Sequence, residues 1–275
     1  MDNANLTADT VGAITAIENI RTGGFSQSAI DDLSHPGRNL LVFIHGFDNS
    51  FENAITRAAF NQQWFADSHL AGADCAMVAF SWPSIGKLIS PPLPWSDYFH
   101  DQTKAGQSGA HIMSFFANLL PIITAARASG VRVNLLTHSM GNWALQGAVE
   151  SWFSHGQGAA ALFDHAILAA ADEIFNSFAY PAPGRLSQLR DLAAKISIYY
   201  SRNDAVLDVS RLVNLGAQRL GQQGQQNPTD ATLFPPSIYR TLDCSDVNDY
   251  AYDFASSHQY YRRSPSVRTD IAGVL

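Results

Sequence analysis

Cysteine is scarce in this sequence of 275 residues, which contains only Cys75 and Cys244. The two lie far apart, and neither belongs to a pair with the short spacing that cysteine-based zinc sites use. Small domains that depend on disulfides carry more cysteines in a shorter chain. The sequence therefore predicts no metal centre and implies no disulfide framework.

Charged residues are also few, at 15% of the chain, and acidic residues outnumber basic ones by 24 to 17. The formal net charge is −7, and the densest basic stretch is the pair Arg262 and Arg263 in "YYRRS". Proteins that bind nucleic acids present clustered positive charge to the phosphates. We therefore expect no nucleic-acid partner.

Long apolar runs are missing as well. No stretch reaches the roughly 18 apolar residues that suggest a membrane span, so the sequence predicts no membrane association. The opening "MDNANLTADTVG" has acidic residues but neither the basic start nor the apolar segment of a secretory signal. The hydrophobic content of 46% is typical of a globular protein with a substantial core. We expect a cytoplasmic protein.

What the sequence does contain is an alternation of short apolar runs and longer helical segments. Helical periodicity covers 50–67 and 106–130, the second interrupted at Pro121, and a last helix follows Ser264. Near-continuous apolar runs are typical of parallel strands covered on both faces. We predict an α/β fold, with a mostly parallel, doubly wound sheet and helices on both faces. The predicted strands are 39–45, 75–82, 131–137, 165–171 and 195–201, with a more polar, edge-like sixth at 237–244.

The same pattern predicts one domain over residues 1–275. Residues 1–38 form an N-terminal segment of uncertain structure, and 221–237 is a polar loop rich in glycine, glutamine and proline. About two dozen residues separate the strands 165–171 and 195–201. That length accommodates a loop and one helix, so we expect no large cap domain.

The corner after strand 131–137 carries the strongest chemical signal. Thr137-His138-Ser139-Met140-Gly141 fits the nucleophile elbow, in which a sharp turn between a strand and a helix lifts a serine above the sheet. Serine also caps helices without any catalytic role. The position two before the serine is usually glycine, and Thr137 in its place weakens the motif.

A nucleophilic serine needs a histidine base and an acid that orients the histidine, in the chain order serine, acid, histidine on this fold. Asp204 follows strand 195–201, and His258 follows the last predicted strand. We predict Ser139, Asp204 and His258 as the catalytic residues. Asp208 and Asp172 remain alternatives for the acid, and Asp172 is otherwise a loop or cap residue.

The rest of the site is predicted from two loops at the same edge of the sheet as Ser139. Backbone N–H groups of Met140 and Phe47 are candidates for the oxyanion hole. His45, which precedes the predicted nucleophile, organises the loop in this interpretation, and His138 has a structural role. The aromatic, proline-rich stretch 81–101 predicts a substrate pocket, with Trp82, Tyr98 and Phe47 as candidate contacts. The alternative, which we expect for at least half of these rings, is that they only pack at the edge of the sheet.

Five motifs together resemble the α/β-hydrolase superfamily, over roughly residues 38–275. They are most similar to a bacterial branch described only as α/β hydrolases of unknown function or as esterase- and lipase-like proteins. The resemblance implies Ser139 as nucleophile, Asp204 as acid and His258 as base, with no cofactor and no metal. The motifs are "FIHGF" (43–47), "FSWPS" (80–84), "THSMGN" (137–142), "SRNDAVL" (201–207) and "SSHQYY" (256–261).

The predicted function is a serine hydrolase that cleaves small carboxylic esters through an acyl-enzyme, with short- or medium-chain or aromatic esters preferred. Acyl transfer and amide cleavage by the same residues are alternatives. A hydrolase fold used only as an interaction module is another, because a fold does not determine a function. The sequence does not predict an oligomeric state.

Overall fold

A six-stranded, entirely parallel sheet forms the centre of the protein, which is described here from a computed structural model. The model describes residues 24–84, 95–182 and 184–275. The strand order is β2-β1-β3-β4-β5-β6, so the predicted α/β sheet is confirmed, with the polar sixth strand at an edge. The strands are β1 (Asn39–Ile44), β2 (Cys75–Phe80), β3 (Val133–His138), β4 (Phe163–Ala169), β5 (Ala193–Tyr200) and β6 (Tyr239–Asp243).

Helices cover both faces of this sheet, as the continuous apolar runs predict. Alternate residues of β1 point to opposite faces. Leu40 and Val42 pack into the core shared with α4 and α5, and Leu41 and Phe43 pack into the core shared with α2 and α8. The helices are α1 (Gln27–Leu33), α2 (Phe51–Ala66), α3 (Trp95–Gln107), α4 (Gly109–Ala128), α5 (Gly141–Ser154), α6 (Ala205–Val213), α7 (Leu220–Gln223) and α8 (Pro265–Val274).

The register of the strands brings their carboxyl ends to one edge. Ile44 of β1 lies beside Thr137 of β3, and Ala169 of β4 lies between His138 of β3 and Tyr199 of β5. Segments that follow β1, β3, β4 and β5 therefore meet, which is where open parallel sheets bind ligands.

The helical region before β3 differs from the sequence-based prediction. It consists of α3 and α4, which are separated at Ser108. A Cβ on Gly109 would lie 2.4 Å from the backbone carbon of Gly147, so α4 begins where it contacts α5. Pro121 does not interrupt α4. Its missing N–H costs one hydrogen bond, and the buried Leu119 and Ile122 beside it hold the helix in the core.

The segment between β4 and β5 also departs from expectation. Its described residues, 170–182 and 184–192, form only short turns of 3₁₀-helix at Ser177–Ala179 and Leu189–Asp191, and no α-helix. They contain no cap domain. In the N-terminal segment, α1 lies within 1–38, and residues 1–23 fall outside the described part of the chain.

Helix α4 is long and apolar enough to cross a membrane, with a mean hydropathy of 1.4 over its best window. Core helices of water-soluble proteins reach the same values. In this structure α4 buries seven residues, among them Ile112 and Phe116, against the sheet and α5. Length and composition alone therefore do not make it a membrane span.

Candidate active site

Ser139 lies at a strained corner between β3 and α5. Its φ angle is 54°, in the left-handed region that non-glycine residues rarely adopt. Its N–H donates to Ala169 O (3.1 Å), and its carbonyl accepts from the backbone and side-chain nitrogens of Asn142 (3.0 and 3.1 Å). These bonds from two elements hold a conformation that would otherwise relax.

Two glycines make room for this corner. A Cβ on Gly46 would lie 2.6 Å from Ser139 Cβ, and one on Gly141 would lie 2.6 Å from His45 O. Real Cβ atoms do not approach other atoms so closely, so the loop after β1 can reach the serine only because both residues lack a side chain. The small residue after the serine in the elbow motif thus has a steric cause.

Thr137 occupies the position where the elbow motif usually has glycine. Its side chain is buried, and its Oγ1 donates to Asn142 Oδ1 at 2.6 Å. The departure from the motif is accommodated because Asn142, in the first turn of α5, accepts this bond while it donates to Ser139 O.

Asp204 and His258 form a buried, hydrogen-bonded pair. His258 Nδ1 lies 2.6 Å from Asp204 Oδ2. Asp204 is the N-cap of α6, and its Oδ1 accepts from the Leu207 N–H at 3.1 Å. Burial raises the pKa of Asp204, and the charge and hydrogen bond of His258 oppose that shift. The carboxylate thus fixes the orientation of the imidazole, with Nε2 on the side of the ring away from Asp204.

His258 and Ser139 line the same cavity, whose volume is about 280 Å³. The buried His258 Nε2 has no hydrogen-bond partner within the described residues, and no hydrogen bond joins it to Ser139. Catalytic hydrogen bonds are often long in free enzymes and tighten when substrate binds. Other cavity-lining residues include Phe47, Val206, Phe254, Asp48, Arg57, Arg262 and Arg263.

The loop after β1 is held by its own side chains. Asn49 Nδ2 donates to Gly46 O and Phe47 O (2.9 and 2.8 Å). His45 Nδ1 also bonds Gly46 O (2.8 Å), and burial lowers the pKa of His45 to about 4. Fixed carbonyls orient the neighbouring N–H groups. Phe47 borders the cavity and Met140 caps α5, so both candidate oxyanion donors lie next to Ser139 in the fold.

Trp82 and Tyr98 do not line this cavity, which differs from the prediction of a substrate contact. Trp82 is 2% exposed, stacks on His45, and donates from Nε1 to His45 O at 2.7 Å. Tyr98 is 8% exposed and donates to Asp172 Oδ2 at 2.9 Å. Both aromatic rings support the loops from below. Nearly half of the predicted pocket stretch 81–101, residues 85–94, lies outside the described residues.

The two alternative acids lie apart from His258. Asp172 pairs with Arg219 at 3.3 Å and accepts hydrogen bonds from Ser210 and Tyr98. Asp208, one turn along α6 from Asp204, is 52% exposed and accepts from Gln222 and Arg211. Of the three carboxylates considered, Asp204 is the one in contact with the imidazole.

His138 supports His258 from the side. Its Nε2–H donates to the carbonyl of His258 at 3.1 Å, and its ring lies 4.8 Å from the His258 ring and 4.6 Å from Tyr261. Burial, followed by the charge of His258, lowers the pKa of His138 well below the usual value. The neutral ring therefore acts in this structure as a packing and hydrogen-bonding group.

Sequence reasoning did not identify the three arginines and Phe254 as cavity residues. Arg262 and Arg263 follow His258 by only a few positions, and "YYRRS" drew notice only as a basic pair. Arg57 comes from α2, far from the other two arginines in sequence, and nothing in its local sequence pattern indicates that it lines the cavity. The described residues contain no group of three or more His, Cys, Asp or Glu side chains suited to a metal ion.

The sequence matches the profile of one protein family, "Alpha/beta hydrolase of unknown function (DUF900)", over residues 24–274. The chain belongs to this α/β-hydrolase family. The resemblance read from the five motifs is thereby confirmed. As an α/β hydrolase it carries the expected elbow between β3 and α5. No curated protein matches its sequence.

Two solved structures give weaker similarities. An esterase from Pyrobaculum calidifontis, in a monoclinic form, has 10% identity and a TM-score of 0.38, covering 86% of this chain and 78% of its own. The apo form of esterase 2 from Thermogutta terrifontis has 11% identity and a TM-score of 0.35, covering 88% and 87%. At these scores neither likeness carries an argument about activity.

Proposed function

We propose that the protein is a serine hydrolase that cleaves carboxylic esters of small molecules through an acyl-enzyme. The observation that carries the proposal is the buried Asp204–His258 pair, whose imidazole belongs to the same cavity as the strained Ser139. Family membership supports hydrolysis as the reaction class.

In the acylation step, Ser139 Oγ bonds to the ester carbonyl carbon while its proton passes to His258 Nε2. The carbonyl electron pair moves to oxygen, where the Phe47 and Met140 N–H groups stabilise the negative charge. The intermediate then expels the alcohol oxygen, which takes the proton from His258. Asp204 holds the imidazole in one orientation and stabilises its charged form.

In the deacylation step, water attacks the acyl carbon and gives its proton to His258 Nε2. Collapse of the second intermediate releases the carboxylic acid and returns the proton to Ser139. A cavity of about 280 Å³ suits short- or medium-chain or aromatic esters, near the lower end of ligand-pocket sizes. An alcohol or amine acceptor in place of water would give the acyltransferase alternative.

Replacing the nucleophile tests the proposal. Ser139→Ala should lower kcat/KM for a short-chain aryl ester by about four to six orders of magnitude, as for other triad serines. It should also abolish labelling by a fluorophosphonate. Ser129→Ala, at the exposed end of α4, is the matched control and should keep both. Fluorophosphonate labelling that persists on a folded Ser139→Ala protein would reject the assignment, and no labelling of the wild type would favour the interaction module.

A further inference from the structure

The cavity beside Ser139 has an unusual charge distribution for a protein with a net charge of −7. Three arginines line it, and Asp48 is the one carboxylate among the described lining residues. Arg57 comes from α2, whereas Arg262 and Arg263 come from the turn that follows His258. Two separate parts of the fold thus bring positive charge to the same cavity.

This positive charge acts on the buried histidines next to the site. After burial and the charge of His258, the positive charges of Arg262 and Arg57 further lower the pKa of His138. Arg57 also contributes to the lowered pKa of His45. His138 itself lines the cavity, so a molecule that fills the cavity lies in the same positive field.

The arginines are held in place by other contacts. Arg262 is 2% exposed, donates from Nε to Gln259 Oε1 at 2.7 Å, and lies over the ring of Phe60 at 5.9 Å. Arg263 lies over the ring of Tyr250 at 5.4 Å. A guanidinium carries five N–H donors in a planar fork that matches the two oxygens of a carboxylate or phosphate. Contacts of this kind therefore orient the guanidinium groups beside the cavity.

We propose that the substrate of this hydrolase carries an anionic group, a carboxylate or a phosphate, which Arg57, Arg262 and Arg263 bind while the ester carbonyl lies at Ser139. The inference rests on the proposed function and narrows it. Phe47, Val206 and Phe254 line the same cavity and contact the apolar part of the molecule between the ester and the anion.

A matched pair of esters tests the substrate charge. The 4-nitrophenyl monoester of adipic acid ends in a carboxylate, and 4-nitrophenyl 6-methylheptanoate has the same shape with a neutral isopropyl end. We expect kcat/KM to be about tenfold higher for the carboxylate, in line with charge-assisted hydrogen bonds. Raising the ionic strength from about 20 to 300 mM should reduce that ratio, because salt screens partly exposed charges.

Arginine variants identify where the anion binds. Arg57→Gln and Arg263→Gln should each lower the carboxylate-to-neutral ratio about fivefold, on the scale of one charge-assisted bond. Arg38→Gln is the matched control, because Arg38 precedes β1 at the opposite edge of the sheet and pairs with Asp74. Its ratio should equal that of the wild type. An equal change in all three variants would overturn the assignment.

Protection from fluorophosphonate labelling separates the two anions. Protection by adipate alone assigns a carboxylate, and protection by inorganic phosphate alone assigns a phosphate. If the wild type is labelled but neither anion protects it and the two esters react equally, the anionic substrate is wrong and the hydrolase stands. If the wild type is neither labelled nor active on either ester, the proposed function itself fails.

Discussion

Asp204 and Asp172 are two buried carboxylates at the ends of neighbouring strands, β5 and β4, and they have different partners. Asp204 faces an imidazole and caps a helix. Asp172 faces a guanidinium, a phenol and a hydroxyl. The strand-end position is the same, so the difference lies in which partner side chains the tertiary structure brings to each carboxylate.

The pairing of Asp172 ties distant elements together. Its carboxylate contacts Tyr98 of α3, Ser210 of α6 and Arg219 from the loop before α7. Because Ser210 and Asp204 belong to the same short helical segment, this network braces the helix that the Asp204 side chain caps. One carboxylate contacts the imidazole, and the network of the other braces the helix that the first one caps.

Of the substitutions that test this comparison, the one at Asp204 has the largest expected effect. Asp204→Asn should lower kcat/KM by about 10³–10⁴, because an amide no longer stabilises the charged imidazole. Asp208→Asn is the matched control, one turn along the same helix and exposed, and it should leave the steady-state kinetics of ester hydrolysis close to wild type. Equal losses at both positions would remove the distinction between them.

The next largest effect is expected for a substitution at Asp172, which should lower the stability of the fold. Asp172→Asn leaves Arg219 buried without its charge partner, which should lower the free energy of unfolding by about 3 kcal/mol. Urea unfolding measures the loss. The double variant Asp172→Asn/Arg219→Gln should lose less than the sum of the single variants. Full stability combined with a loss of activity as large as that of Asp204→Asn would make Asp172 the acid.

A substitution at Gly46 tests whether the close packing of the loop after β1 holds Ser139 in place. Gly46→Ala would place a Cβ against Ser139, so we expect kcat/KM to fall by about 10²-fold, the scale of a 1 Å misplacement. Gly158→Ala is the control, since nothing lies within 4 Å of the added Cβ. A Gly46→Ala enzyme with wild-type kinetics would show that this loop does not fix the serine.

The smallest effect is expected at Glu173, which follows Asp172 and pairs with Arg185 at 2.6 Å. Burial raises the pKa of Glu173 from 4.5 to about 7, although Arg185 opposes the shift. Between these values the folded state keeps a proton that the unfolded state has lost, so this residue lowers stability as pH rises from about 4.5 to 7.

Glu173→Gln removes that ionisation. Over the same pH range the variant should gain about 1–3 kcal/mol relative to wild type, measured by urea unfolding at several pH values. His45 and His138, with lowered pKa values, act in the opposite sense but are common to both proteins and cancel in the difference. A difference that does not change with pH would mean that Glu173 is ionised throughout.

The sheet was predictable because strands buried on both faces need continuous apolar runs, and their bounds agree within about two residues. The ends of α4 were not, because the contact between Gly109 and Gly147 forms only after α4 and α5 pack. The predicted interruption at Pro121 was wrong for the same reason, since the packing of its buried neighbours outweighs one lost hydrogen bond.

At the site, chain order and strand ends sufficed to pick out Asp204 and His258, which the structure brings into contact. They were insufficient for Trp82 and Tyr98, because aromatic composition does not reveal whether a ring points into a cavity or beneath a loop. They also failed for Arg57, whose place beside residues some two hundred positions later depends on how α2 packs across the sheet.

The serine and the cavity walls come from different parts of the chain. Ser139 lies between β3 and α5, where neighbouring backbone leaves no room for added atoms. Much of the wall comes from α2 and from 254–263, which end no central strand. An atom added at Gly46 would press on the serine, whereas a substitution at Arg57 or Phe254 would change the lining of the cavity. The set of molecules that the cavity accepts can therefore change while the backbone around Ser139 stays the same.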